Sequence, residues 1–322
     1  MGFRVIRGLS EIPSDIPPAV ATVGNFDGVH AGHRSILRRV VQLSRERSCT
    51  PAVVTFDPHP TRVVAPARAP RLLTTIEQRC ELMRRSGIEL ALVIDFTPEI
   101  AQLTPEQFVS RVLVEGLKAR AVLVGENFRF GARQAGDVHT LEELGSRYGF
   151  EVEIIEGVRR HGRMVSSSDI RRLISDGDMT LAWRELERPY AVEGEIVPGR
   201  GIGSKQTVPT LNLATAAEVL PAQGVYITCT EDLESGRRWD SITNIGRRPT
   251  FGGESLTIET FLLSALEGDA PRRIRLSFLR RVRDERKFDS PAALKAQILA
   301  DVARANAWFR RLRRWSGLAR KA

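Results

Sequence analysis

"AVATVGNFDGVHAGHRSILRRVVQLSRER", residues 19–47, decides the fold of the first half of the chain. Its opening, "AVATVGNF", reads as a strand. From Ala31 the pattern becomes that of an amphipathic helix, with Ile36, Leu37, Val40, Val41 and Leu43 toward one side. Between them lies a glycine-rich turn carrying His30 and His33. A helix start has free N–H groups and a partial positive charge, which together favour an anion and above all phosphate. Two imidazoles there can donate hydrogen bonds to a triphosphate and to charge that builds as a phosphate bond breaks. Gly24 and the other glycines let the backbone approach a ligand closely, and Asn25 shares the turn. Asp27 suits a metal ion or a hydroxyl better than bare phosphate. Two other readings stand beside this one. HxxH can be half of a zinc site completed by His59 or Asp57, or the pair can be purely structural. On the residues alone, nucleotide phosphate binding leads and the reaction stays open.

Outward from this stretch, apolar runs and amphipathic helices alternate. Strands are expected at "PAVVTF", "ELALVIDF", "AVLVGENF" and "EVEIIEG", and helices around "TIEQRCELMRRSG", "TPEQFVSRVLVEG" and "TLEELGSRYG". This is the pattern of a parallel, doubly wound sheet, in which ligands bind at the carboxyl ends of the strands. "GNFDGVH", "FDPHP" and "GENFRFG" should then share one rim. From "YAVEGEIVPG" onward come short β-rich stretches punctuated by Gly and Pro, expected to form an antiparallel barrel or sandwich. A helix from about Ser290 closes the chain, with Pro291 at its first position. The boundary falls near 181–189, giving domains 1–184 and 185–322.

Composition agrees. A chain of 322 residues suits two domains, and 42% hydrophobic with 27% charged residues is ordinary for a soluble globular protein. There is no apolar run of about 18 residues and no signal-peptide core, so neither a membrane span nor secretion is expected. Cys49, Cys80 and Cys229 are widely spaced and form no disulfide framework, which fits the cytoplasm. Net charge is +9, yet residues 304–322 alone carry seven basic and no acidic side chains. This reads as the solvated end of a helix rather than as a nucleic-acid or membrane contact. A homo-oligomer is compatible with the sequence.

Further candidate residues lie in three stretches. In "GRMVSSSDIRRLI" (162–174), Ser166–Ser168 can be helix caps, or can join Arg163 and Arg171 in an anion cradle. All five histidines lie at or before residue 161, so proton transfer in the second half falls to a carboxylate. In "PGRGIGSKQTVPTLNL" (198–213), Gly201 and Gly203 can wrap phosphates or simply form a turn. Thr210 and Asn212 face the same way in an extended segment, a workable pair for Mg²⁺ and phosphate. The third stretch is "TNIGRRPTFGGESLTIETFLL" (243–263).

"GNFDGVHAGH", "VVTFDPHP", "VGENFRFG" and "VSSSDIR", in this order and spacing, resemble the N-terminal module of the bacterial bifunctional riboflavin kinase/FAD synthetases. "GVHAGH" is similar to the HxGH box of the nucleotidylyltransferase superfamily, and "VSSSDIR" to its [IV]SSTxIR box, with Ser168 where Thr is usual. The resemblance implies that FMN phosphate attacks the α-phosphate of ATP, giving FAD and pyrophosphate. Asn25, His30 and His33 would hold the ATP phosphates and the transition state, and Asn127 would help place the nucleotide or flavin phosphate. Arg163, Ser166, Ser167 and Arg171 would grip the β- and γ-phosphates. "VPTLN" resembles the flavokinase PTxN motif, so Thr210 and Asn212 would contact Mg·ATP. "IETFLL" resembles the strand of the catalytic glutamate, here Glu259, which would take the proton of the riboflavin 5′-hydroxyl. "FLRRVRDERKFDS" and the helix with Gln297 and Asp301 resemble the flavin side, with Arg283 as the contact. The implied fold is a Rossmann-like nucleotidylyltransferase domain, then an antiparallel β-barrel flavokinase domain with a C-terminal helix. ATP is co-substrate, Mg²⁺ the cofactor, and flavins are substrate and product.

The chain departs from the family at "SKQTVPTLN", where GRxLGFPTAN is usual, and at "LEGDAPRR", where an acidic-aromatic turn is usual. A second expectation is therefore an adenylyltransferase with a weak or idle kinase half. A non-catalytic flavin or nucleic-acid binder is a third, and the number of retained motif residues speaks against it.

Overall fold

The structure, a computed structural model, describes residues 2–160, 162–198, 210–250 and 253–319; the side chains at 247–250, 253–255 and 315–319 are not among the described ones. Strands β1 (Arg4–Arg7), β2 (Ala19–Val23), β3 (Thr50–Asp57), β4 (Leu90–Asp95), β5 (Ala121–Gly125) and β6 (Glu151–Ile155) form one sheet in the order β1-β4-β3-β2-β5-β6. Every pairing in it is parallel. The inner strands β2 to β5 read as largely apolar runs because both faces are buried, while the edge strands β1 and β6 carry exposed charged residues. Ala21, Val54, Leu92 and Val122 pack on one side, and Val20, Val53, Ala91 and Leu123 on the other. The helix Ala31–Glu46 covers the second side with Leu37, Val40 and Leu43. The first side receives Leu141 and Leu144 of Val138–Tyr148, a helix capped by the Asp137 carboxylate accepting from Thr140 N at 3.0 Å.

Some elements differ from the expectation. β1 is a strand that the short "RVIR" stretch did not announce. The helix expected around "TPEQFVSRVLVEG" starts as an α-turn, Pro105–Phe108, and widens into a π-helix, Val109–Gly116, which keeps Val109, Val112 and Leu113 on the core. A hairpin of β7 (Arg159–Arg160) and β8 (Arg163–Met164) follows β6. Part of the stretch read as the boundary is helical, Met179–Leu186. The chain divides into two compact units, Met1–Ser167 and Ser168–Ala322.

In the second unit, β9 (Tyr190–Val197), β10 (Thr210–Ala214), β11 (Gly224–Asp232), β12 (Arg238–Thr250), β13 (Gly253–Leu262) and β14 (Arg273–Arg283) close into an antiparallel barrel, β10-β13-β12-β11-β14-β9. Closure brings β9 against β10 so tightly that a Cβ on Gly194 would lie 2.0 Å from the Ala214 carbonyl oxygen. Alternation places Val192, Leu211, Ile258, Leu276 and Phe278 inside, all buried. They share the interior with a chain of hydroxyls, Thr230–Ser241–Thr228–Thr243–Thr260, each link 2.8 to 3.0 Å. These buried hydroxyls are tolerable because each one has a partner. Outside, Val225, Ile227, Ile242 and Leu279 meet Ala305 and Phe309 of the closing helix Pro291–Ala319. Ser290 caps that helix, its Oγ accepting from Ala293 N at 3.2 Å. Near the helix's basic end, Arg313 pairs with Asp240 of β12 at 2.7 Å.

Candidate functional site

In the first unit the strand order reverses between β2 and β5, and a crevice at such a reversal, outside the carboxyl ends, is where open parallel sheets bind ligands. The turn after β2 fills one side of it. Phe26, Gly28 and Val29 all have positive φ, 50°, 79° and 38°. For β-branched Val29 this is a strained conformation, worth about 1–3 kcal/mol, that neighbours must hold in place. They do so by burial, Phe26 and Val29 being 2% and 1% exposed, and by hydrogen bonds to residues 73 and 74. The Asp27 carboxylate accepts from Leu73 N (3.0 Å), Thr74 N (3.1 Å) and Thr74 Oγ1 (3.1 Å), and Gly28 N donates to Thr74 Oγ1 at 3.0 Å. Asp27, read from sequence as suited to a metal or a hydroxyl, is thus engaged by one hydroxyl and two backbone amides, in a clamp for the turn.

His30 is the N-cap of Ala31–Glu46, and its Nδ1 accepts from His33 N at 3.4 Å. That lone pair being used, the neutral ring carries its proton on Nε2 and can donate there. The His30 and His33 rings stack, centroids 3.7 Å apart and 19° between planes. A Cβ on Gly32 would sit 3.2 Å from the His30 ring, which accounts for glycine between the two histidines. Ser167 Oγ donates to the Asp27 carbonyl at 2.9 Å, bringing the serine motif onto the turn. Gly24 N donates to Val54 O at 3.0 Å, and the Asn25 carbonyl accepts from Thr55 Oγ1 at 3.2 Å.

The structure therefore gathers Gly24, Asn25, Asp27, His30, His33 and Ser167. Asn127 is exposed on the same rim, just after β5, and Ser166 is half-buried beside Ser167. Arg163 is exposed on the β7–β8 hairpin, and Arg171 is half-buried in the helix Ser167–Ser175, within the second unit. The β3 loop joins the rim as expected, and its His59 caps the helix Pro60–Val64 by accepting from Thr61 N. No group of three or more His, Cys, Asp and Glu placed to share a metal ion occurs among the described residues. Sequence reasoning missed Thr55 and Thr74, which bond to a turn 30 or more residues earlier in the chain, and Arg79, which bonds to Thr55 and Phe56.

On the barrel, Glu259 pairs in register with Asn212 on one side and with Asn244 on the other. Directly paired residues point to the same face about 5 Å apart, so both amides flank the carboxylate. Thr210, exposed, follows on that face two residues from Asn212. The row continues through Val225, paired with Asn244, to Arg283. Arg283 Nε donates to Asp301 Oδ2 at 2.8 Å, Gln297 donates to Asp301 Oδ1 at 2.7 Å, and the Phe288 ring lies 5.7 Å from the Arg283 guanidinium. Asn244 is the residue that sequence reasoning passed over; two-residue alternation from Ile242 in "SITNIG" puts it on the outer face. Gly201 and Gly203, with the divergent "SKQT", lie outside the described residues.

A strained turn with paired imidazoles at a parallel-sheet reversal, joined in one chain to a barrel with the Glu259 carboxylate between two amides, belongs to nucleotide-dependent transferases. The FAD synthetase family model matches residues 12–169 and the riboflavin kinase model matches residues 186–309. The bifunctional riboflavin kinase/FMN adenylyltransferase of Escherichia coli K12 is 34% identical over 308 residues, 95% of this chain and 97% of that one. Its counterpart from Pseudomonas fluorescens is 34% identical over 306 residues, with the same coverage. A solved structure from Streptococcus pneumoniae titled as a macrolide-efflux protein, 25% identical, covers 96% of this chain and all of its own, with a TM-score of 0.85. The chain belongs to the bifunctional riboflavin kinase/FMN adenylyltransferase family, and carries both enzyme domains. No described helix is long and apolar enough to cross a membrane.

Proposed function

We propose that the two activities run at two separate sites with the following assignments. In the first unit, ATP lies across the turn 24–30 and the start of the helix Ala31–Glu46. Asn25, the His30 Nε2–H and His33 hold its phosphates, with Ser166, Ser167 and Arg163 on the β- and γ-phosphates and Asn127 on the same rim. FMN phosphate attacks the α-phosphate; the P–O bond to pyrophosphate breaks, and the charge on the leaving group is met by these donors. No protein nucleophile is required, since the attacking phosphate is already ionised. Phe56, Phe96 and Phe128, at the ends of β3, β4 and β5, are partly open aromatic surfaces suited to the flavin ring.

In the second unit, riboflavin's 5′-hydroxyl attacks the γ-phosphate of ATP and Glu259 takes the hydroxyl proton. Asn212 and Asn244 hold the carboxylate in line. Thr210 and Asn212 present hard oxygen donors on one face of β10, which fits Mg²⁺, an ion that would neutralise phosphate charge when bound. Arg283, held by Asp301, faces the flavin. Gly201 and Gly203 would wrap the ATP phosphates. The proposal places the domain boundary at 184/185 and the protein in the cytoplasm, with no nucleic-acid or membrane partner.

What carries the assignment is that the motif residues gather separately: His30, His33, Asp27 and Ser167 in one unit, and Asn212, Asn244 and Glu259 on one face of the barrel. Labelled ATP tests it. Among the flavins, label from the γ-phosphate should enter FMN and be carried on into FAD, and label from the α-phosphate should enter FAD alone. Label from the α-phosphate in FMN, or γ-label absent from FMN, contradicts the assignment.

A further inference from the structure

Arg79 is 2% exposed, among the largest fully buried side chains of the protein. It makes no ion pair within 4.0 Å among the described residues. Nη1 donates to Phe56 O at 3.2 Å and to Thr55 Oγ1 at 3.4 Å, while Nε has no hydrogen-bond partner among the described residues. A buried cation so lightly compensated lowers stability, and an apolar side chain of similar volume would serve the core better. Its surroundings explain its presence. Thr55 Oγ1, which accepts from Arg79, itself donates to the Asn25 carbonyl at 3.2 Å. Arg79 also sits in the helix Ile76–Arg85, directly after the Leu73–Thr74 segment that clamps Asp27. Burial pulls its guanidinium below the usual range, against the opposing charges of Asp27, Asp57 and Glu77. Asp27 puts a negative charge under a turn meant for phosphate, and a nearby buried cation offsets it.

We propose that Arg79 is a positioning residue for adenylyl transfer: it locks the Asn25 backbone through Thr55 and supplies the positive charge that balances Asp27 beneath the phosphate turn. This rests on the reading of residues 24–33 as the ATP turn. The charge acts through low-dielectric protein, where it is weakly screened.

The test uses the full-length protein, with kcat and the KM for ATP measured for FAD formation from FMN. The thermal unfolding profile reports folding, and riboflavin phosphorylation, which belongs to the other unit, is the unaffected control. Arg79→Met should lower kcat/KM for ATP about a hundredfold, and Arg79→Lys, which keeps the charge, should recover it to within about tenfold. Thr55→Val should raise the KM for ATP with kcat retained, because it cuts the link to Asn25 and leaves the charge. The proposal is overturned if Arg79→Met stays within about twofold of the unaltered protein, or if Arg79→Lys is no better than Arg79→Met. Should Arg79→Met not fold, an unchanged KM in Thr55→Val overturns it. Failure of the unaltered protein to make FAD would instead count against the reading of the turn.

Discussion

Ser167 Oγ reaches the backbone carbonyl of Asp27 at 2.9 Å across 140 residues of sequence. Two motifs that each look like a helix start are thereby brought to one turn, with the paired histidines between them. The hydroxyl of Ser167 ties the far end of the first unit to the turn.

Replacing His30 and His33 together by Ala should lower FAD formation from FMN about 10²–10³-fold, the range for loss of donors to a developing charge. FMN formation from riboflavin should hold, since the barrel lies in the other unit. Flavin chromatography with each substrate supplied separately checks both arms. Equal loss in both would mean the histidines support folding rather than phosphate.

Glu259→Gln keeps the size and polarity of the side chain between Asn212 and Asn244 and removes its basicity. Riboflavin phosphorylation should fall about 10²–10⁴-fold, with adenylylation of supplied FMN intact. A retained kinase rate would sink Glu259 as the base.

Asp27→Ala leaves the Leu73 and Thr74 amides without their acceptor inside the protein. Each buried unsatisfied donor costs about 1–3 kcal/mol, so the first unit should lose several kcal/mol of stability and its adenylyl transfer. Denaturant unfolding followed with flavin assays checks this; an unchanged midpoint would mean that the clamp contributes nothing.

Much of this was legible in the residues. The unbroken apolar runs of β2 to β5 announced a sheet buried on both faces, and the 24–33 turn announced its ligand end. Alternation in "TLNL" put Thr210 and Asn212 on one face of a strand, and the resemblance of "IETFLL" singled out Glu259, which the register then sets beside Asn212. What was not legible depends on contacts between distant segments. "LLTTIEQR" reads as an ordinary helix start, and nothing local says that Thr74 clamps a turn 46 residues earlier or that Arg79 bonds to Thr55. Asn244 becomes meaningful once the register pairs it with Glu259. Asp27 reads as a ligand for a metal or a hydroxyl because two of its donors are backbone amides, which sequence does not display.

Tyr226 gives an alkaline prediction. It is buried in the barrel with its hydroxyl donating to the Ala222 carbonyl, and burial pushes its pKa up to about 12 against the opposing pull of Arg281. A folded pKa above the unfolded value of about 10 means that the stabilisation is complete below pH 10. It is lost as pH rises toward 12, by about 2–3 kcal/mol in all. Tyr226→Phe should therefore flatten the fall in stability across that window. An unaltered slope would place the loss elsewhere.

The most direct test of one chain with two activities is a single incubation of purified full-length protein with riboflavin, ATP and Mg²⁺, its flavins resolved over time. FMN should appear first and FAD follow, with both formed from riboflavin alone. Riboflavin left untouched while supplied FMN becomes FAD would contradict the account.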